Sequence, residues 1–210
     1  MFEKHGVKVI YSSTSEVYGE TQSEEGSRET DKLEIYPPHK PRGSYACSKL
    51  MAEFELRTYS FPSTVVRFFN VVGPSQVANY GHVLPRFINC INTREYLPVF
   101  GDGQQIRSYC DIRDAVEMLK ILIGSEHDGE LYNIGNDANV CTVNELADLV
   151  VRVTESGGTS YIKHIPFEDA LGTQFEEIYR RFPNTDKIKQ YYQCKYTLED
   201  VIKYVVRESV

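Results

Sequence analysis

The sequence lacks the features of membrane proteins and of secreted proteins. No apolar run approaches the roughly 20 residues that a membrane-spanning helix needs. The N-terminus, MFEKHGVKVI, has no long apolar stretch of the kind that signal peptides carry. We therefore expect a soluble, cytoplasmic protein that does not bind membranes.

The sequence also has no excess of positively charged residues. The chain of 210 residues has 23 lysines and arginines against 30 aspartates and glutamates, which gives a net charge of -7. This balance argues against a protein that holds nucleic acid by neutralising its phosphates. A small phosphorylated ligand is still compatible with it, because such a ligand needs only a few well-placed cations.

Disulfide frameworks and metal sites are not indicated either. The five cysteines are odd in number and widely spaced without a C-x-x-C pair, and the five histidines show no H-x-x-x-H spacing. These patterns favour reduced thiols and predict no bound metal. The apolar share of 41% and the charged share of 25% are those of an ordinary globular protein.

Strand-like and helix-like segments alternate along most of the chain. Short β-branched runs at 7–13 and 63–69 predict buried strands, and Ser44 is expected to cap the helix between them. This alternation is typical of a parallel α/β sheet. The last third of the chain is more irregular and helical, which suggests a substrate-binding portion interleaved with the sheet.

Turns and caps can be placed in the second half of the chain. LPVFGDGQQIRSY (97–109) predicts two short strands around a Gly-Asp-Gly turn. Asp114 is expected to cap the helix that follows. Thr142 and Glu145 have the spacing of a capping box at the start of a further helix.

A Y-x-x-x-K motif, Tyr45-Ala-Cys-Ser-Lys49, lies in the first predicted helix. Residues four apart share one helix face, and an ammonium group next to a phenol favours the phenolate. The pair can therefore act as a general base toward a sugar hydroxyl. Of the two other matches to this motif, the one at Tyr36 spans two prolines and the one at Tyr191 has no companion motif.

The companion motif is SSTSEVYG (12–19), which follows the first predicted strand. Parallel α/β sheets bind their ligands at the carboxyl ends of strands. Several hydroxyl groups and one carboxylate at such an end are compatible with a ligand site. Taken alone, the segment is more typical of an ordinary polar exit from a strand.

The two motifs in this order resemble those of the extended short-chain dehydrogenase/reductases. More narrowly, the sequence is similar to the NAD-dependent epimerase/dehydratase family, which acts on nucleotide sugars. Further matches follow in order along the chain: VVRFFNVVGP (65–74), VLPRFI (83–88), VFGDGQQIRSY (99–109), ELYNIGN (130–136) and RRFPNTDKI (180–188).

The resemblance implies roles for the residues that match. The tyrosine matching Tyr45 is the catalytic base, and the lysine matching Lys49 also holds the nicotinamide ribose of NAD. The residue matching Thr14 binds the reacting sugar hydroxyl. Glu16 matches an acid/base carboxylate of dehydratases and decarboxylases. The 4,6-dehydratases usually carry Asp before that Glu, so Ser15 disfavours a dehydratase.

Contacts to cofactor and substrate follow from the same resemblance. The cofactor-binding residues implied in this way are Ser12, Ser13, Tyr45 and Lys49. The substrate-binding residues are Ser15, Asn70, Arg107 and Arg181. The last three match positions that bind the nucleotide diphosphate, and guanidinium groups can hold phosphates bidentately. For both arginines a structural salt bridge stays an alternative, and sugar-acid decarboxylases use the Arg181 position as a proton donor.

One departure from the family concerns NAD. Dinucleotide binding in this fold uses a glycine-rich turn such as G-x-G-x-x-G between a strand and a helix, and the sequence contains none. We therefore expect an α/β fold with a truncated Rossmann-like parallel sheet that lacks its first βα units. Residues 1–70 would form the later part of the Rossmann-like domain. Residues 71–210 would be mainly substrate-binding, with 107–135 returning to the sheet.

The leading functional hypothesis is a nucleotide-sugar epimerase similar to UDP-hexose 4-epimerase. Tyr45 would take the 4-hydroxyl proton while a hydride passes to NAD. Because of Glu16, an enzyme similar to UDP-glucuronate decarboxylase is the alternative. A sugar-nucleotide-binding protein without turnover is a third, because the glycine motif is missing. A homodimer, or a separate chain that supplies the N-terminal part, is the expected protein partner.

Overall fold

The computed structural model describes residues 5–37, 43–77, 82–154, 162–172 and 177–208. The ten strands of these segments are β1 (Val9–Thr14), β2 (Ser63–Phe68), β3 (Val71–Val72), β4 (Leu97–Phe100), β5 (Ile106–Ser108), β6 (Cys110–Asp111), β7 (Leu131–Ile134), β8 (Val140–Thr142), β9 (Ile162–Ile165) and β10 (Arg180–Arg181). The α-helices are α1 (Gly43–Leu56), α2 (Val83–Thr93), α3 (Ile112–Ile121), α4 (Val143–Val153), α5 (Phe167–Leu171), α6 (Asp186–Lys189) and α7 (Leu198–Glu208).

A parallel sheet with the strand order β1-β2-β7 carries the first half of the fold. Val9 pairs with Ser63, and Val65 pairs with Leu131. Residues 64–67 of β2 are all buried, as expected for a central strand that is covered on both faces. The two strands predicted at 7–13 and 63–69 are thus confirmed, and their carboxyl ends meet at one edge of the sheet.

The remaining strands form three smaller sheets. β5 pairs with β8 and with β10, β4 pairs in parallel with β9, and β3 pairs with β6. The two strands predicted around the Gly-Asp-Gly turn exist but do not pair with each other. Residues from distant parts of the chain pack against the turn instead. Gly101 and Gly103 both have a positive φ, and a Cβ added to them would collide with Phe167 and Asn144, respectively.

Helix caps are partly as predicted. Thr142 and Glu145 form the full capping box at the start of α4. The prediction for Asp114 is wrong, because α3 begins at Ile112 and its cap is Asp111, whose side chain accepts from the Arg113 N–H. Asp114 is instead buried inside the first turn. It accepts hydrogen bonds from the Tyr192 hydroxyl at 2.8 Å and from backbone N–H groups near the C-terminus.

Helix α1 begins one residue before the predicted cap, Ser44, and it is joined to the sheet by a buried ion pair. Glu53 of α1 accepts from Arg67 of β2 at 3.0 and 2.6 Å, and both residues are less than 10% exposed. The hydroxyl of Ser13 on β1 also donates to Glu53. One carboxylate therefore joins α1 to two neighbouring strands.

A hydrophobic core lies between α2, α4, α7 and β4. Its centre consists of side chains that are inaccessible to solvent, among them Leu84, Phe87, Leu146 and Ile202.

The five cysteines are all free thiols, and Cys47 is the exposed one. Among the described residues, no helix is long and apolar enough to cross a membrane. The proposed domain boundaries at residues 70 and 71 stay a prediction.

Breaking the buried ion pair should be costly. We expect Glu53→Gln to lower the free energy of unfolding by about 3–5 kcal/mol, because it leaves the buried Arg67 guanidinium without a counter-charge. Glu199→Gln is the matched control, since it breaks the exposed Glu199–Lys203 pair of α7. Urea denaturation measures both. If the two variants unfold at the same urea concentration, the pair is not what holds α1.

Candidate active site

A cavity of about 830 Å³ opens at the carboxyl ends of β1 and β2. The predicted residues that line it are Thr14, Ser15, Glu16, Tyr45, Asn70, Arg107 and Arg181. These residues come from five separate stretches of the sequence. The structure therefore brings most of the predicted catalytic and substrate-binding residues together in one site.

The Y-x-x-x-K pair lies on one face of α1, and its tyrosine lines the cavity. Tyr45 is 51% exposed, and the Lys49 ammonium lies 5.9 Å from the centre of its ring. Lys49 also donates to the carbonyl of Ser12 at 2.8 Å, so it is anchored to the end of β1. The Tyr45 phenol is thus accessible to a ligand, while the Lys49 ammonium is fixed by its hydrogen bond to Ser12.

A second tyrosine shares this lysine, and the sequence analysis missed it. The ring of Tyr11 lies 5.3 Å from the Lys49 ammonium, and its hydroxyl is 3.4 Å from the Lys49 carbonyl. Burial raises the pKa of Tyr11, and the nearby Glu53 and Tyr45 add to the effect. The sequence offered one signal for Tyr11. Side chains alternate between the two faces of a strand, and this alternation places Tyr11 on the face of β1 that packs against α1.

The segment after β1 forms a tight turn that holds Glu16. The Thr14 hydroxyl caps a short 3₁₀ helix, Ser15–Tyr18, by accepting from the Glu16 N–H at 3.2 Å. The Glu16 carboxylate accepts from Arg181 at 2.7 Å. Their side chains are only 23% and 12% exposed, so the ion pair is well shielded from water.

The two predicted phosphate-binding arginines are neighbours. Arg107 of β5 and Arg181 of β10 are direct partners in the parallel pairing of these strands. Arg107 makes an ion pair of 2.6 Å with Glu177. Asn70 is close by, since it donates to the Ser108 carbonyl at 3.1 Å. Both arginines therefore have ion-pair partners, but those partners also line the cavity rather than a distant surface.

The predicted cofactor residues of β1 do not line the cavity. The Ser13 hydroxyl is buried and bound to Glu53, while Ser12 contributes its carbonyl to Lys49. Their contacts with NAD stay predictions. Within the described segments, no group of three or more His, Cys, Asp or Glu side chains could hold a metal ion.

Three cavity residues with unused polar atoms were not foreseen. The Arg86 Nε, the Gln105 Oε1 and the Tyr109 hydroxyl are buried and have no hydrogen-bond partner among the residues that the structure describes. Burial raises the pKa of Tyr109 and lowers the pKa of Arg86. The Arg86 guanidinium also lies 4.2 Å from the centre of the Phe100 ring. Such atoms can serve a ligand, but nothing in the local sequence distinguishes them.

Comparison with known proteins now decides the family. The model of the NAD-dependent epimerase/dehydratase family matches residues 1–135. The chain belongs to this family. A UDP-N-acetyl-alpha-D-glucosaminuronate decarboxylase of Bacillus cytotoxicus is 37% identical over an alignment of 187 residues, and the alignment covers 87% of this chain and 57% of the relative.

Solved structures of similar proteins support the same assignment. Pal from Bacillus thuringiensis has a TM-score of 0.84 and 27% identity over 99% of this chain and 64% of that one. The UDP-glucose 4-epimerase of Thermotoga maritima, solved with UDP-glucose, has a TM-score of 0.81 and 27% identity, covering 99% and 65%. The chain thus spans less than two thirds of each relative. The predicted family, its α/β Rossmann-like fold and its use of NAD are confirmed.

The residues present fit one end of NAD. The Tyr45 phenol and the Lys49 ammonium, which has three N–H donors and one bond to Ser12, suit the hydroxyl groups of the nicotinamide ribose. For the pyrophosphate, the family fold uses a glycine-rich turn that this sequence does not contain. That Tyr45 and Lys49 hold this end of the cofactor stays a prediction.

The hydrogen bond of Ser13 yields a test of its role. We expect Ser13→Ala to lower the free energy of unfolding by about 1–3 kcal/mol, because a buried bond to a charged group is lost. Ser12→Ala is the control for stability, since the contact of Ser12 with Lys49 uses the backbone carbonyl and not the side chain. Urea denaturation and calorimetric titration with NAD measure the two properties. Weaker NAD binding by Ser13→Ala at unchanged stability would favour the cofactor role instead.

Proposed function

We propose that the protein acts on a UDP-hexuronate, oxidising it at C4 and releasing its carboxyl group as CO2. The observation that carries this proposal is the shielded Glu16–Arg181 ion pair in the same cavity as Tyr45. A family member that acts on nucleotide sugars needs a base for the first oxidation. A decarboxylase also needs a group that returns a proton after the carboxyl group has left.

The first step uses the residues at the end of β1 and on α1. Tyr45 takes the proton of the 4-hydroxyl, and the Thr14 hydroxyl at the same edge of the cavity orients that group. NAD, when bound, supplies the oxidant by accepting the hydrogen of C4 as a hydride. The product of this step is a 4-keto sugar, whose carboxyl group at C6 lies β to the new carbonyl.

The second step follows from ordinary β-keto acid chemistry. The bond between C5 and C6 breaks, CO2 leaves, and the electron pair moves into the C4 carbonyl as an enolate. A proton must then return to C5. Arg181, held by Glu16 at 2.7 Å, is the candidate donor. Ser15 occupies the position where 4,6-dehydratases usually carry Asp. This position therefore adds no second carboxylate beside the Glu16–Arg181 ion pair.

The relatives support a UDP sugar. The Bacillus cytotoxicus protein, 37% identical, is a decarboxylase of a UDP-linked sugar acid. The Thermotoga maritima structure contains UDP-glucose. In this chain, Arg107 of β5 lies beside Arg181 of β10 and would bind the diphosphate of such a substrate, which leaves Arg181 to serve the sugar.

A UDP-hexose 4-epimerase is the second candidate, and it shares the first step. Its support is the similarity to the Thermotoga maritima epimerase, at a TM-score of 0.81. An epimerase returns the hydride to the other face of the ketone and loses no carbon. Binding without turnover is supported only by the missing glycine motif. The homodimer and the separate completing chain stay predictions.

The products distinguish these reactions. We expect the chain, supplied with NAD and UDP-glucuronate or UDP-N-acetylglucosaminuronate, to release CO2 and a UDP-linked sugar that is one carbon shorter. Tyr45→Phe should lower this rate by about 10²–10⁴, the usual contribution of a general base. Tyr191→Phe is the control, because Tyr191 belongs to another Y-x-x-x-K match and does not line the cavity. Chromatography with mass detection measures the products.

Each other outcome has a defined meaning. Conversion of UDP-glucose to UDP-galactose without CO2 release would favour the epimerase. UDP-sugar binding in calorimetry, without NAD binding or turnover, would favour a binding protein. Near-normal turnover by Tyr45→Phe would show that the base is another residue.

A further inference from the structure

Arg107, of the proposed diphosphate site, and its neighbour Arg181 are both held by carboxylates of this chain. Arg107 contacts Glu177 at 2.6 Å, and Arg181 contacts Glu16 at 2.7 Å. The arginines are register partners on adjacent strands, so their guanidinium groups are close and of like charge. Buried charges need partners. The two carboxylates therefore stabilise the pair when no ligand anion is bound.

Arg107 is also fixed independently of Glu177. Its Nη1 donates to the carbonyl of Ile106 at 2.8 Å and to that of Tyr179 at 3.3 Å, while its Nη2 donates to Glu177. Two backbone carbonyls thus orient the guanidinium. Removing the Glu177 charge should leave this orientation intact and remove the negative charge that competes with another anion.

We propose that Glu177 is a competing counter-ion, which the diphosphate of a nucleotide must displace from Arg107 in order to bind. This inference rests on the proposed diphosphate site. The Arg107 Nη2 donates to Glu177, so a phosphate oxygen that binds Nη2 would lie against this carboxylate and place two negative charges in contact. Glu177 therefore weakens substrate and product binding alike, which limits affinity and speeds product release.

Binding of UDP to the whole chain tests the competition. We expect Glu177→Gln to lower the Kd for UDP by about five- to tenfold, within the usual range of coupling between two ligands of one group. Glu24→Gln is the matched control. It removes the same charge from the ion pair of Arg180, on the same strand β10, but Glu24 is 86% exposed and lies outside the cavity. Its Kd should stay within twofold of wild type.

Two further measurements separate competition from indirect effects. Uridine has no phosphate, so its Kd should not respond to Glu177→Gln. In an Arg107→Met background, which itself should weaken UDP binding, the added Glu177→Gln change should give no gain. Thermal melting checks that each variant is folded. Unchanged or weaker UDP binding by Glu177→Gln would overturn the proposal, since Glu177 would then be neutral or would hold Arg107 for the ligand.

The result is distinguishable from a failure of the proposed reaction. If UDP binding follows the expected order but no CO2 is released, the competition stands and the reaction assignment falls. If CO2 is released while Glu177→Gln does not tighten UDP binding, only the competition falls. If neither the wild type nor the variant binds UDP, both proposals are wrong.

Discussion

The buried ion pair between Glu53 and Arg67 is the constraint on which the rest of the site depends. Tyr45, Lys49 and Glu53 are spaced by four residues, so they share one face of α1. Because Glu53 is bound to β2 and to Ser13 of β1, that face can lie only against the ends of these strands. The position of the phenol at the rim of the cavity follows from this contact.

Local patterns predicted the scaffold well. The β-branched strands, the alternation with helices and the capping box of Thr142 depend on short-range physics, and the structure confirms them. The outer strands were less predictable, because their partners are distant in sequence: β5 pairs with β8 and β10 rather than with β4. The same limit explains Asp114, which resembles a cap locally but is used by Tyr192 and the C-terminal segment.

The site was predictable in its residue types and not in their partners. Motif resemblance found Tyr45, Glu16 and Arg181, which the fold places in one cavity. It could not find Glu53 or Glu177, because an acidic residue on a helix or in a loop has the pattern of an ordinary solvated side chain. Burial changes such a carboxylate from a surface group into the partner of a specific guanidinium.

Charge in this molecule acts locally rather than through the net value of -7. A short parallel pairing of β5 and β10 concentrates two guanidinium groups in one shielded cavity. In water such a pair would be screened, whereas in a partly buried site it attracts anions strongly. The carboxylates that balance the arginines keep the empty site stable, and they also set the affinity that an incoming anion must exceed. Stability of the free protein and strength of ligand binding are thus linked through the same ion pairs.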